Sequence, residues 1–293
     1  MKDETEISAS SEQVRFTGQK IAILGCGKIG EAVLRGMLES GFATREQIQA
    51  STRREVRAQA LQRNFEITAT TSNSQAAACA DVIILAVKPN LILPVLEEVV
   101  EEITHDHALI ISVAASVSTT QIEQKLGAFS RSLGVIRAMP NTPALIRQGM
   151  TALVRGRYAT EPHMETARQM FASIGRTVEV EERHMDAVTG LSASGPAFIY
   201  MVIESLAEGG VRVGLPRQLA LELAAQTVLG SAAMVLETGE HPAKLKDAVC
   251  TPAGCTVDGL LELEEGGLRV ALIKAVSRAA VRAGQLASLA SAH

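Results

Sequence analysis

From Lys20 to about Val180, short apolar runs of β type alternate with stretches whose apolar residues recur at helical spacing. The runs are Ile21–Leu24, Ile48–Ser51, Phe65–Ala69, Val82–Val87, Leu109–Val113 and Val135–Met139. Helical patterns lie between most of them, at Glu31–Glu39, Glu55–Arg63, Leu91–Ile103 and Thr119–Leu126. This alternation predicts βαβ units, and the nearly continuous apolar strands predict a parallel sheet covered on both faces. Two further strand-like runs, Thr151–Val154 and Thr177–Val180, flank a helix at about Glu165–Ala172 and are expected to extend the same sheet.

After Glu182 the strand signal stops. His184–Val213, Pro216–Leu236, His241–Val249 and Leu268–Leu289 read as Ala/Leu-rich helices parted by Gly or Pro. The chain is therefore expected to hold an α/β domain over 19–182 and an all-α domain over 183–293, after a flexible polar tail over 1–18. The helices carry wider apolar stripes than so small a layer should bury alone, so a second subunit packed on this half is the expected outlet, with a self-contained core as the alternative.

Composition narrows the partners. The first eighteen residues are polar and acidic, with no basic start leading into an apolar stretch, so they are not read as a secretory signal. The longest apolar runs, such as Val82–Val87 and Ala108–Ala115, are strand-sized, and no membrane partner is expected. A net charge of −4, no Trp and two Tyr offer neither a phosphate-neutralising excess nor a stacking platform for nucleic acid. The four cysteines have no CxxC pairing, which indicates neither zinc nor a disulfide framework and points to a reducing, cytoplasmic setting. His105-Asp106-His107 lies between an acidic helix tail and an apolar strand and reads as a solvated loop, so no metal is expected.

Candidate chemistry begins at Gly25-Cys26-Gly27-Lys28-Ile29-Gly30, a complete GxGxxG directly after a strand and opening a helix. Gly25 permits the tight turn, Gly27 the approach of a diphosphate to the backbone, and Gly30 close helix–strand packing, so the 19–182 domain is expected to be an α/β Rossmann-type dinucleotide-binding domain. Where an acidic residue would hold a ribose 2′-hydroxyl, the chain has Ser51-Thr52-Arg53-Arg54. A hydroxyl and two guanidinium groups suit a 2′-phosphate, so NADPH is favoured over NADH, which remains possible. Strand C-termini line the ligand crevice of this architecture, which places Ala86, Val87, Lys88 and Pro89 beside the cofactor. Met139–Ala144 ends the sixth strand, where Asn141 and Thr142 could contact the nicotinamide or simply form a Pro-bracketed turn. Asp247–Thr256 is a Pro/Gly-punctuated turn whose free N–H groups and terminal hydroxyl suit a small carboxylate; taken by itself it also reads as a helix–helix connection with Pro252 as a stop and Gly254 as a cap. Cys255 has no basic partner before it in that loop and is assigned no covalent chemistry.

The segments "LGCGKIGEAVLRGM", "LAVKP", "MPNTPALIRQG", "TGLSASGPAF", "LAEGGVRVGLPR" and "HPAKLKDAVCTPAGCT", in this order, resemble the pyrroline-5-carboxylate reductase family from about Lys20 to His293. The resemblance implies reduction of 1-pyrroline-5-carboxylate to L-proline by NADPH or NADH, in homodimers interlocked through the helical domain and often assembled into decamers. It implies cofactor contacts at Gly25–Gly30, Ser51, Asn73, Ala86–Pro89 and Val113, Ala114 and Ala115. It implies substrate contacts at Ala253, Gly254, Cys255 and Thr256, with Glu182 as a further candidate and Thr256 as the catalytic position. The chain departs from the family pattern at Ala193, Ala248, Ala253 and Cys255, which bears on the geometry of the loop. No lysine occurs between Lys125 and Lys244, so the lysine base that β-hydroxyacid dehydrogenases place early in their helical domain is lacking. Reduction of a cyclic imine needs no such base; orientation and exclusion of water suffice. On the residues alone, a reductase for a related imine or 2-hydroxyacid, or a non-catalytic NADPH sensor, remains open.

Overall fold

The structure, a computed structural model, describes residues 18–291, with side chains described to 287. The polar tail expected over 1–18 lies, Gly18 apart, outside the described residues. The chain forms two compact units, Met1–Pro140 with Ala144–Glu182, and Asn141–Pro143 with Arg183–His293.

The first unit is built on an eight-stranded sheet in the order β3-β2-β1-β4-β5-β6-β7-β8. Its strands are β1 (Ile21–Leu24), β2 (Ile48–Ser51), β3 (Thr68–Thr70), β4 (Val82–Leu85), β5 (Leu109–Ser112), β6 (Gly134–Pro140), β7 (Gly149–Arg155) and β8 (Gly175–Glu179). The first six are parallel, β7 runs antiparallel to β6, and β8 runs parallel to β7. The helices are α1 (Lys28–Glu39), α2 (Glu55–Phe65), α3 (Asn73–Ala77), α4 (Ile92–Val99), α5 (Thr119–Gly127) and α6 (Glu161–Ala172). Strands β1, β4 and β5 are buried along their whole length because helices cover both faces. Alternate side chains feed two separate clusters, Ile21 and Ile23 going to one and Ala22 and Leu24 to the other. The strand expected at Phe65–Ala69 starts three residues later, because Phe65 closes the last turn of α2 before Glu66 takes a left-handed conformation.

The second unit is helical: α7 (Met185–Val188), a π-helical turn (Thr189–Ala193), α8 (Gly195–Arg212), α9 (Arg217–Thr238), α10 (Pro242–Val249), α11 (Cys255–Glu265) and α12 (Leu268–Ser291). The single helix expected over His184–Val213 is interrupted by the π-turn. There a Cβ on Gly190 would lie 2.7 Å from the Ala280 amide of α12, so only glycine lets the two backbones approach this closely. Helices α8 and α9 meet through Ala207, Ala220 and Ala224. Their outer faces stay bare, with Met201, Leu229 and Leu236 exposed. By length and composition, Glu182–Arg212 and Arg217–Thr238 are each apolar enough to cross a membrane, a property not apparent when only uninterrupted apolar runs are considered.

Candidate active site

The glycine turn links β1 to α1. Gly25 sits at φ +79, and a Cβ there would overlap the Val87 side chain and lie 3.0 Å from the Val87 backbone. Gly30 packs against Ile23 and Ala86, which a Cβ would meet at 3.2 and 3.3 Å. Gly27 differs: the nearest atom to a Cβ there is the Gly25 carbonyl oxygen at 3.8 Å. That open face at the start of a twelve-residue helix has the shape and polarity that a diphosphate requires. Cys26 points inward, and burial pushes its thiol up to about 12 despite the lowering influence of Arg57, so it is inert at neutral pH. Lys28 is exposed and Ile29 half-buried.

Ser51 is fully buried at the end of β2. Its carbonyl accepts the Gly25 and Cys26 amides at 3.1 and 2.8 Å, and its hydroxyl accepts the Gly25 amide at 3.2 Å while donating to Asn73 Oδ1 at 2.6 Å. Asn73 in turn donates to Glu98 at 2.7 Å. The hydroxyl is thus engaged in bracing the glycine turn. Arg53 and Arg54 lie just beyond β2, exposed, and form no ion pair among the described residues. The tails of β4 and β5 flank the same edge. The Ala86 amide bonds Leu24 at 2.8 Å, Val113 bonds Leu85 at 3.1 Å, and Ala114 bonds the Ser112 hydroxyl at 3.4 Å. Val87 and Ala115 are half-buried, while Lys88 and Pro89 are exposed.

Glu182 is placed by a different set of partners. One oxygen pairs with Arg137, which is 4% exposed, and the other accepts the Thr119 amide and hydroxyl at 3.0 and 2.9 Å. The carboxylate therefore caps α5 and neutralises a buried guanidinium, a brace that pattern reading missed because the three residues are far apart in sequence.

In the second unit, the Thr251–Gly254 turn joins α10 to α11. The Gly254 amide bonds the Thr251 carbonyl at 2.9 Å, and a Cβ on Gly254 would overlap the Thr251 hydroxyl. Gly254 is the N-cap of α11, so Cys255 and Thr256 form its first turn, with amides at the positive end of the helix dipole. Ala253 is exposed at φ +57, a left-handed conformation in which a Cβ is strained. Cys255 is exposed and Thr256 half-buried. Asn141 donates to the Ser192 carbonyl and hydroxyl at 3.2 and 3.4 Å, tying it to the π-turn of the same unit.

Comparison with known proteins agrees with both units. The family model described as pyrroline-5-carboxylate reductase dimerisation matches residues 182–286, and that described as NADP oxidoreductase, coenzyme F420-dependent, matches 20–116. The pyrroline-5-carboxylate reductase of Methanosarcina acetivorans is 44% identical over 268 residues, covering 92% of this chain and 98% of the relative. The solved pyrroline-5-carboxylate reductase of Coxiella burnetii superposes with a TM-score of 0.85 at 33% identity, over 92% of this chain and 98% of that one. The Plasmodium falciparum pyrroline carboxylate reductase, solved with NADP bound, superposes at 0.81 with 27% identity, over 92% and 98%.

Proposed function

The chain belongs to the pyrroline-5-carboxylate reductase family, and we infer from that premise that it reduces 1-pyrroline-5-carboxylate to L-proline with NADPH, the last step of proline biosynthesis. NADPH, when bound, supplies the hydride that adds to the imine carbon. The Gly25–Gly30 turn and the first amides of α1 hold the diphosphate, in keeping with the open face of Gly27. Arg53 and Arg54 take the 2′-phosphate, while Ser51 and Asn73 act behind them by fixing the turn. Ala86–Pro89 and Val113–Ala115 border the nicotinamide half.

The substrate needs little acid–base apparatus, because a protonated cyclic imine is already electrophilic at carbon. The amides of Cys255 and Thr256 take its carboxylate, supported by the left-handed Ala253 and the Gly254 cap that open α11. The Thr256 hydroxyl orients the ring nitrogen and is too weak an acid to protonate it unaided. The Gly254-capped turn at the head of an eleven-residue helix, here proposed to take the carboxylate, is the observation that favours an enzyme over a nucleotide sensor. Glu182 supports the first unit through Arg137 and Thr119.

The protein works as a homodimer through 183–293, supported by the exposed apolar faces of α8, α9 and α12 and by the dimerisation model over the same region. A reducing, cytoplasmic location fits its four free thiols. NADPH oxidation on addition of pyrroline-5-carboxylate tests the reaction, and folded, NADPH-binding protein without that activity would refute it. Thr256→Ala should lower kcat/KM roughly tenfold, about 1.4 kcal/mol, and leave NADPH affinity unchanged. Thr256→Ser should recover part of the loss, and Cys255→Ala should be mild. An active Thr256→Ala beside an inactive, folded Cys255→Ala would reverse the assignment of the turn.

A further inference from the structure

Strand register gathers three potential ligands, Asp81, His105 and His107, at the end of the sheet opposite the glycine turn. Lys20, Asp81 and His107 stand just before β1, β4 and β5, whose registers pair Ile21 with Val82 and Val82 with Leu109. Asp81 is bonded to both neighbouring strands, its amide donating to the Lys20 carbonyl at 2.9 Å and its carbonyl accepting the Leu109 amide at 2.8 Å. Its carboxylate is oriented too, since Oδ2 accepts the Lys20 amide at 2.7 Å. The other oxygen, Oδ1, lies 3.5 Å from His107 Nε2 and 4.0 Å from His105 Nε2. The two rings are 5.1 Å apart, and all three candidate ligand atoms fall within 4.8 Å of one another. Asp106, between the histidines, is committed to Arg131 at 2.9 Å.

We propose that Asp81, His105 and His107 form a binding site for a divalent first-row metal ion of the zinc type. Two imidazoles and one carboxylate are zinc donors, whereas calcium and magnesium favour all-oxygen sets. Tetrahedral bonds of about 2.0–2.1 Å place ligand atoms about 3.3 Å apart, so small rotations of the imidazoles close the observed separations, with water filling the remaining position. The Lys20 amide on Oδ2 is the outer bond that holds a ligating carboxylate in place. Bound there, the ion ties the turn before β5 to the start of β4. Its effect is on stability and not on turnover, because the cofactor turn occupies the other end of the sheet. Sequence reading took His105-Asp106-His107 for a solvated loop because Asp81 is supplied by a different strand.

The test uses the full chain, freed of metal with chelator and desalted. Titrated with Co2+, it should take up one equivalent per chain with visible d–d absorption that Zn2+ displaces. Zn2+ should raise the unfolding midpoint by about 2–4 °C. His105→Ala and His107→Ala should each abolish the band and the shift while leaving NADPH oxidation unchanged. His107 is 68% exposed, so its removal spares the fold, which circular dichroism checks. His184→Ala should keep both signals. No uptake by the unsubstituted protein, uptake that survives the double histidine variant, or a thiolate charge-transfer band pointing to the cysteines would each overturn the proposal.

Discussion

Ser51 and Arg53 stand two residues apart at the end of β2, yet the proposed function gives them different parts of the cofactor site. The Ser51 hydroxyl is buried against Gly25 and Asn73, so Ser51→Ala loosens the turn that any dinucleotide must use. It should weaken NADPH and NADH alike, by about 1 kcal/mol. The Arg53 and Arg54 side chains are exposed and outside any ion pair among the described residues, so removing both should weaken NADPH by about 1–3 kcal/mol and leave NADH nearly unchanged. Binding titrations with the two nucleotides separate the cases, and an equal loss for the arginine pair would show that it does not read the phosphate. Ala253 gives a prediction of the opposite sign. Its φ of +57 is strained for a residue with a Cβ, and the strain exceeds the extra chain entropy that glycine loses on folding. Ala253→Gly should therefore stabilise the protein by about 0.5–1 kcal/mol, read as a higher denaturant midpoint.

At the scale of elements, α6 is opened by an unusual reciprocal cap. The Thr160 hydroxyl accepts the His163 amide at 3.5 Å, and His163 Nδ1 accepts the Thr160 amide at 3.2 Å, the position usually held by Glu or Gln. Burial holds the His163 imidazole below its usual range; its bond to the His107 backbone opposes this, and the charge of His107 adds to it. A depressed folded value means that the unfolded chain takes up its proton first. The stability from His163 is thus complete above about pH 6.5 and is lost as pH falls below that value toward the lower folded one. The unfolding midpoint should fall on acidification through this window. His163→Gln, which keeps an acceptor for the Thr160 amide, should flatten the fall, and an unchanged slope would assign it to other groups. Legibility at this scale follows from what each segment packs against. Ile21–Leu24 was readable to the residue because its burial is written in unbroken apolar side chains, and Ile48–Ser51 because only the half-buried Gln49 interrupts its apolar and small ones. Helix α3 was not, since five residues opened by the Ser72 cap leave no periodicity to detect. Helix α11 was hidden behind the turn that dominates its start, and the π-turn behind continuous helical composition. The glycine turn and the 251–256 turn were legible as local motifs. The Arg137–Glu182–Thr119 brace and the cluster of Asp81, His105 and His107 were not, because strand order creates them.

For the whole molecule, the question is how the second unit covers its apolar surface. The first unit encloses two clusters between its sheet and helices. The second has a small alanine-centred cluster between α8 and α9, while Met201 and Ile273 are 69% and 61% exposed and Leu229, Leu236 and Val270 are also bare. So many large apolar side chains bare in one unit point to a covering by another chain or by lipid. The dimerisation model over 182–286 favours another copy of the same chain over a membrane. Light scattering should accordingly return at least twice the 31.0 kDa chain mass at micromolar concentration. Because the covering is apolar, the mass should persist at high salt, where an assembly held by surface ion pairs would be screened apart. Replacing Leu229 and Leu236 with Glu should shift the mass toward the monomer if α9 lies in the interface, with the nucleotide-binding unit still able to bind NADPH. A stable, active 31.0 kDa monomer would show that these helices are satisfied some other way.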